Sequence, residues 1–219
     1  MALRPKQAAP RPAPRLYLIT PLLADTSAFS SQLTAALDGG DIAAVLLRLA
    51  DADERTLINR AKVLATPVQE KGTALLLDGH VELVARAGGD GAHLTGITAF
   101  KDALERLKPE RIAGAGGLTS RHEAMLAAEQ GADYVMFGEP GTSGERPAFA
   151  AIEDRVAWWA EVFEIPCVGY AASTNEIAPL VAAGADFIAL GDFLWHDSRP
   201  IAATMSDITN HLQLPEPAA

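Results

Sequence analysis

The chain has a single cysteine, Cys167, and one thiol excludes a disulfide framework. Cys167 lies inside the apolar run 165–168, where a buried structural role outweighs a catalytic one. That scarcity of thiols fits a reducing compartment, so a cytoplasmic protein is expected. No apolar run reaches the roughly 20 residues of a membrane span, and no membrane partner is expected. The opening MALRPKQAAPRPAPR is basic but has no apolar centre, unlike a secretory signal. Cations are scarce as well: 18 Lys and Arg stand against 28 Asp and Glu, a net charge of −10. Four of them, Arg4, Lys6, Arg11 and Arg15, fall in the first 15 residues, which carry no acid. The remainder is therefore more acidic than the total, which argues against nucleic-acid binding as the main task. Several catalytic signatures are missing too. There is no G-x-S-x-G and no H-x-H or H-x-x-x-H spacing, and the first strand is not followed by G-x-G-x-x-G.

What is present is an alternation of strands and helices. With 49% hydrophobic residues, the 219-residue chain has ample material for one large core. Residues 1–14, Pro-rich and basic, read as a disordered tail, residues 15–212 as the folded body, and residues 213–219 as a second tail. Apolar strands are expected at 16–20, 42–47, 73–77, 91–94, 111–113, 134–137, 166–169 and 187–190. Helices are expected after them at 27–37, 53–68, 81–87, 99–107, 119–130, 149–163, 174–183 and 201–211. Eight βα units at this spacing predict a single α/β domain, a (β/α)8 TIM barrel. The competing open doubly wound sheet usually begins with a glycine-rich turn, whereas the glycine run here, 114–117, follows the fifth strand. Short echoes, AGGDGAH, EQGADYV and AAGADFI, place Gly-x-Asp before strands four, six and eight. They read as helix C-caps followed by an acidic turn at the barrel's lower end.

In such a barrel, chemistry gathers at the C-terminal ends of the strands. Collecting polar residues there gives Arg48, Asp78, His80, His93, Glu139, Arg146, Tyr170 and Asp192. Arg48 and Arg146 are the cations of that rim. Gly169 and Gly191, after strands seven and eight, would let backbone amides approach an anion, although the carboxylate of Asp192 opposes one. Asp78 is the candidate metal ligand, with a histidine nearby but no paired-carboxylate spacing.

Several of these residues sit in recognisable runs. Leu16-Tyr-Leu-Ile-Thr20 opens the first strand, and Arg48 stands where a Q-x-R-E-K motif has its arginine. Asp90-Gly-Ala-His-Leu94 looks like D-G-V-H-L, and Gly131-Ala-Asp-Tyr-Val-Met-Phe-Gly138 like G-A-D-Y-V-x-F-G. Arg146 falls on the lysine that ends a G-P-x-F-x-T-x-T-K loop. Over about residues 15–195 the chain thus resembles the thiamine-phosphate synthase and TenI-like thiazole tautomerase family. The resemblance implies a homodimeric TIM barrel that binds small phosphorylated ligands. It also implies a transferase of thiamine biosynthesis that couples a hydroxymethylpyrimidine diphosphate to a thiazole phosphate with Mg²⁺. Catalytic roles are carried over to Arg48, Asp78, His93 and Arg146, with Asp78 on the metal. Phosphate-binding roles go to Gly169, Ala171, Ala172 and Gly191.

The chain also departs from the pattern. The Gln and Lys of the second-strand motif are Leu46 and Ala50, and Gly79 and Thr98 stand at the two metal-binding aspartates. Gly117 replaces a serine, Ala171-Ala172 a Gly-Gly pair, and Asp192 another serine. Each lost contact at a pyrophosphate site is typically worth a few kcal/mol, so the replacements predict a slowed or lost coupling reaction. Two other readings follow. One is a non-catalytic ligand-binding or regulatory relative, the other a different small-molecule enzyme that uses His93, Asp78 or Glu139 as acid/base groups.

Overall fold

A computed structural model describes residues 12–141 and 143–212. Most of the 1–14 tail and all of the 213–219 tail lie outside the described residues. Eight parallel strands close into a barrel in chain order: β1 (Arg15–Ile19), β2 (Ile42–Leu47), β3 (Ala74–Asp78), β4 (Gly91–Thr95), β5 (Ile112–Gly116), β6 (Tyr134–Phe137), β7 (Cys167–Ala171) and β8 (Phe187–Leu190). The seam is β1 on β8, with Leu16 opposite Ile188 and Leu18 opposite Leu190. The fold is the TIM barrel that the alternation of units predicts.

Continuous apolar strands split into two sets because successive side chains point to opposite faces. Tyr17, Ile19, Leu46, Leu76, Met136 and Val168 pack inside the barrel. Leu16, Leu18, Val45, Leu47, Leu75 and Leu77 face outward and bury against the helices. Those helices are α1 (Thr26–Leu37), α2 (Glu54–Gln69), α3 (Val84–Ala87), α4 (Ile97–Leu107), α5 (Arg121–Glu129), α6 (Phe149–Val162) and α7 (Ile177–Ala182), followed by α8 (Phe193–His196) and α9 (Ile201–His211). Side-chain caps set several starts. Asp25 accepts the N–H groups of Ser27 and Ala28, and Asp53 that of Thr56. Ser120 caps α5 by accepting the Glu123 N–H, and the Glu123 carboxylate reaches back to the N–H and hydroxyl of Thr119.

The Gly-x-Asp echoes are clamps at the lower end of the barrel. Asp90 accepts the Leu75 N–H at 2.8 Å, Asp133 the Ala113 N–H at 2.7 Å, and Asp186 the Cys167 N–H at 2.8 Å. In each case the acid before an even-numbered strand holds the start of the preceding odd-numbered one.

The structure differs from the sequence expectation in two places that matter for the site. First, β5 runs on through Gly114 and Gly116 instead of ending at residue 113. Glycine there makes room for neighbours: a Cβ on Gly114 would lie 2.0 Å from the Tyr134 ring, and one on Gly116 would lie 2.4 Å from Nε2 of His93. Gly114 and Gly116 therefore belong to the strand, and Gly117 makes the turn that follows it. Second, the segment after β8 contains the short helix α8. Its Trp195 donates from Nε1 to the Ile19 carbonyl at 2.6 Å and meets Phe29 edge-on, which ties α8 to β1 and α1.

Candidate functional site

A cavity of about 420 Å³ opens at the C-terminal end of the barrel. Ile19, Leu46, Met136 and Tyr170 form its apolar walls, and Arg48, Asp78, His93, Thr95, Glu139 and Asp192 its polar ones. The strands position these groups directly: Asp78 ends β3, His93 is opposite it in register on β4, and Arg48 follows β2. The backbone at Arg48 is pinned by its N–H to the Thr20 hydroxyl at 3.0 Å. Its side chain, in contrast, makes only long polar contacts among the described residues, 3.6 Å to Asp78 and 4.0 Å to Asp192. Neither is a hydrogen bond, so the guanidinium donors are available to an incoming phosphate. Among the described residues the cavity wall holds this one cation and the carboxylates of Asp78, Glu139 and Asp192.

The deepest polar groups form a chain into the barrel axis. His93 is 2% exposed, and its Nδ1 lies 2.9 Å from the Tyr134 hydroxyl. The Tyr134 hydroxyl is in turn 2.8 Å from that of Tyr17. On the other side of the ring, Nε2 of His93 lies 3.8 Å from Glu139, whose carboxylate accepts the Gly117 N–H. Gly117 takes a left-handed backbone, φ 59°, at this turn. Burial pushes the Tyr17 and Tyr134 phenols well above their ordinary range, so both keep their protons. Burial also raises Tyr170, and the nearby Asp192 carboxylate adds to the effect.

Of the residues proposed from the sequence, Arg48, Asp78 and His93 share this cavity. Arg146 does not line it. Its Nε donates to the Gly138 carbonyl, one terminal nitrogen to both oxygens of Glu176 at 2.9 and 3.0 Å, and the other to the Tyr170 carbonyl. The guanidinium also stacks over the Tyr170 ring, 5.4 Å from its centre. It therefore ties the loops after β6 and β7 together.

The expected phosphate positions are differently placed as well. Gly169 and Ala171 lie within β7, and the open face of Gly169 meets Leu180 of α7. The Ala172 N–H donates to Glu176 at 2.8 Å, and the Gly191 N–H to the Ala171 carbonyl at 3.2 Å. At Ala172, then, the amide is taken by the protein's own carboxylate. Sequence reasoning missed Glu176, Tyr17 and Tyr134. A polar-tipped aromatic at an inward position of each of β1 and β6 was the available signal for the tyrosines.

Asp78 faces the cavity beside Arg48, and no group of three His, Cys, Asp or Glu residues that could hold a metal occurs among the described residues. Mg²⁺ is commonly held by one or two carboxylates plus substrate phosphates, so this donor set fits an ion shared with a ligand and not a protein cage.

The family model described as thiamine monophosphate synthase matches residues 16–193. A thiamine-phosphate synthase of Rhodospirillum centenum is 41% identical over 196 residues, covering 88% of this chain and 95% of that protein. One of Hyphomonas neptunium is 40% identical over 206 residues, covering 90% and 93%. Among solved structures, thiamine phosphate pyrophosphorylase of Pyrococcus furiosus superposes with a TM-score of 0.74 at 22% identity, covering 90% of this chain and 95% of that one. A 3-hexulose-6-phosphate synthase of Salmonella typhimurium has the same architecture, with a TM-score of 0.69 at 15% identity.

Proposed function

Because the chain belongs to the thiamine monophosphate synthase family, we propose that it couples a hydroxymethylpyrimidine diphosphate to a thiazole phosphate in thiamine biosynthesis. In that reaction the thiazole nitrogen attacks the methylene carbon of the pyrimidine. The carbon–oxygen bond breaks, and pyrophosphate leaves with the electron pair. The observation that carries the reading is Arg48, which lines the mouth cavity beside Asp78 with no hydrogen-bonded partner for its guanidinium among the described residues. A guanidinium placed there stabilises the charge that develops on the leaving group. Mg²⁺ shared between Asp78 and the diphosphate would neutralise further charge on it.

The lost family residues pointed to slowed or absent coupling, whereas the close relatives' names support a retained reaction and neither alternative reading. Purified chain is incubated with both precursors and Mg²⁺, and thiamine phosphate is followed by mass spectrometry. Product above the protein-free control is expected, and its absence overturns the proposal. Arg48→Ala should lower diphosphate affinity by about tenfold or more, since a charged hydrogen bond is worth roughly 1.5–3 kcal/mol. The family likeness also favours a homodimer in the cytoplasm, and light scattering should give twice the monomer mass.

A further inference from the structure

The partners found among the described residues leave one order in which the three buried groups behind the cavity share their protons. Tyr17 is 2% exposed, and among the described residues its hydroxyl has one hydrogen-bond partner, the hydroxyl of Tyr134. A buried O–H without an acceptor is costly, so Tyr17 donates to Tyr134. The proton of Tyr134 then has one acceptor within reach among the described residues, Nδ1 of His93. The reverse order would send the Tyr134 proton to Tyr17 and leave the Tyr17 proton with no acceptor. An imidazole that accepts at Nδ1 carries its own proton on Nε2. That atom faces Glu139 at 3.8 Å, and the two meet over the space that the absent side chain of Gly116 leaves open.

We propose that Tyr134, backed by Tyr17, is a positioning residue that fixes His93 as its Nε2–H tautomer, and that Glu139 beside it is the acceptor for the exocyclic amino group of the pyrimidine. The assignment of the amino group rests on the coupling reaction proposed above; the tautomer does not. Glu139 lines the cavity with Thr95 and Met136, and the Gly117 N–H holds one of its oxygens. The other oxygen can accept from a heterocyclic amine whose ring lies against Met136 and Tyr170. As pyrophosphate departs, the pyrimidine methylene becomes electron-poor and the conjugated amino group a stronger donor. A carboxylate accepting that N–H binds more strongly at the moment the bond breaks.

Two measurements test the two parts. In ¹⁵N-labelled protein near neutral pH, two-bond ¹H–¹⁵N spectra should show His93 with an unprotonated Nδ1 and a protonated Nε2, assigned by its loss in His93→Gln. Tyr134→Phe, which removes one hydroxyl, should release the ring to a mixture of tautomers. A proton on Nδ1 in the unmodified chain, or an unchanged tautomer in Tyr134→Phe, overturns the positioning role. For the second part, the unphosphorylated hydroxymethyl-aminopyrimidine is titrated by calorimetry into the unmodified chain and into Glu139→Gln. Affinity should fall by about tenfold or more, with no change in Tm. Equal affinity, or no binding to the unmodified chain, overturns the role of Glu139. Neither readout needs turnover. A chain that makes no thiamine phosphate but loses pyrimidine affinity in Glu139→Gln refutes the coupling reaction alone. An active enzyme with unchanged affinity refutes this inference alone.

Discussion

Glu176 lies where a ligand phosphate would be expected. Its carboxylate takes two charge-assisted hydrogen bonds from Arg146 and one from the Ala172 N–H, a donor set suited to a phosphate. Both partners of the ion pair are largely buried, with 19% and 17% of their side chains exposed. A free phosphate would have to displace that tethered anion before it could reach Arg146. Glu176→Gln removes the charge and keeps the shape. It should strengthen binding of inorganic pyrophosphate by about tenfold, as one released charged donor is worth roughly 1.5–3 kcal/mol. Titration calorimetry reads this directly, and an unchanged affinity would mean that Arg146 serves only as a strut. Arg146→Ala should act mainly on stability, because it leaves the Gly138 and Tyr170 carbonyls and the Glu176 carboxylate short of donors.

At the scale of single elements, β5 and the α8–α9 junction make opposite demands on the sequence. In β5 a missing side chain is the requirement. Gly114→Ala would drive a methyl into the Tyr134 ring, which is held on both sides by Tyr17 and His93. Overpacking of a core typically costs about 1–3 kcal/mol. Urea denaturation should show a loss of that size, together with a disturbed His93 environment.

The α8–α9 junction instead depends on charge. Arg199 hydrogen-bonds Asp197, and Asp197 also accepts from Thr204 on α9. Hydrogen bonds from Arg199, chiefly from its side chain, hold the Asp197 carboxyl well below the usual carboxylate range. The folded pKa is the lower one, so this contribution to stability is complete above the unfolded value near 3.8 and fades as pH falls below it. Its partner Arg199 has 48% of its side chain exposed, against 20% for Asp197, so water and salt screen the pair and the effect is small. The Tm of Asp197→Asn should lie below that of the unmodified chain at neutral pH, and the gap should narrow as the solution is taken below pH 3.8. A gap that stays constant would show that the junction does not depend on this charge.

Across the whole molecule, the barrel was legible because its units repeat. Apolar strands with both faces covered, Asp and Ser caps and the Gly-x-Asp clamps are local features, and each can be seen within a few residues. The mouth was legible only in part. Arg48, Asp78 and His93 could be placed because strand ends in this fold converge on one face. The pairing of Arg146 with Glu176 could not, since it joins residues 30 positions apart through side-chain reach alone. The same holds for Tyr17 and Tyr134, separated by 117 positions and brought together on the barrel axis by closure of the sheet. On sequence alone the fifth strand is expected to end before Gly114 and Gly116, because glycine usually marks a turn. Here it marks a place where another side chain needs the volume.

The indole of Trp195 gives the molecule a built-in optical signal. It donates to the carbonyl of Ile19, a residue of the cavity wall, and its helix begins directly after Asp192, another wall residue. Trp158 and Trp159, by contrast, cluster with Phe163 on the outer layer. With Trp158 and Trp159 both changed to Phe, emission comes from Trp195 alone. A ligand that enters the mouth and shifts either wall should change the intensity or wavelength of that emission in a saturable way. Occupancy of the barrel could then be followed in real time without a labelled substrate, and a flat emission trace during a binding event seen by calorimetry would show that α8 does not respond to the mouth.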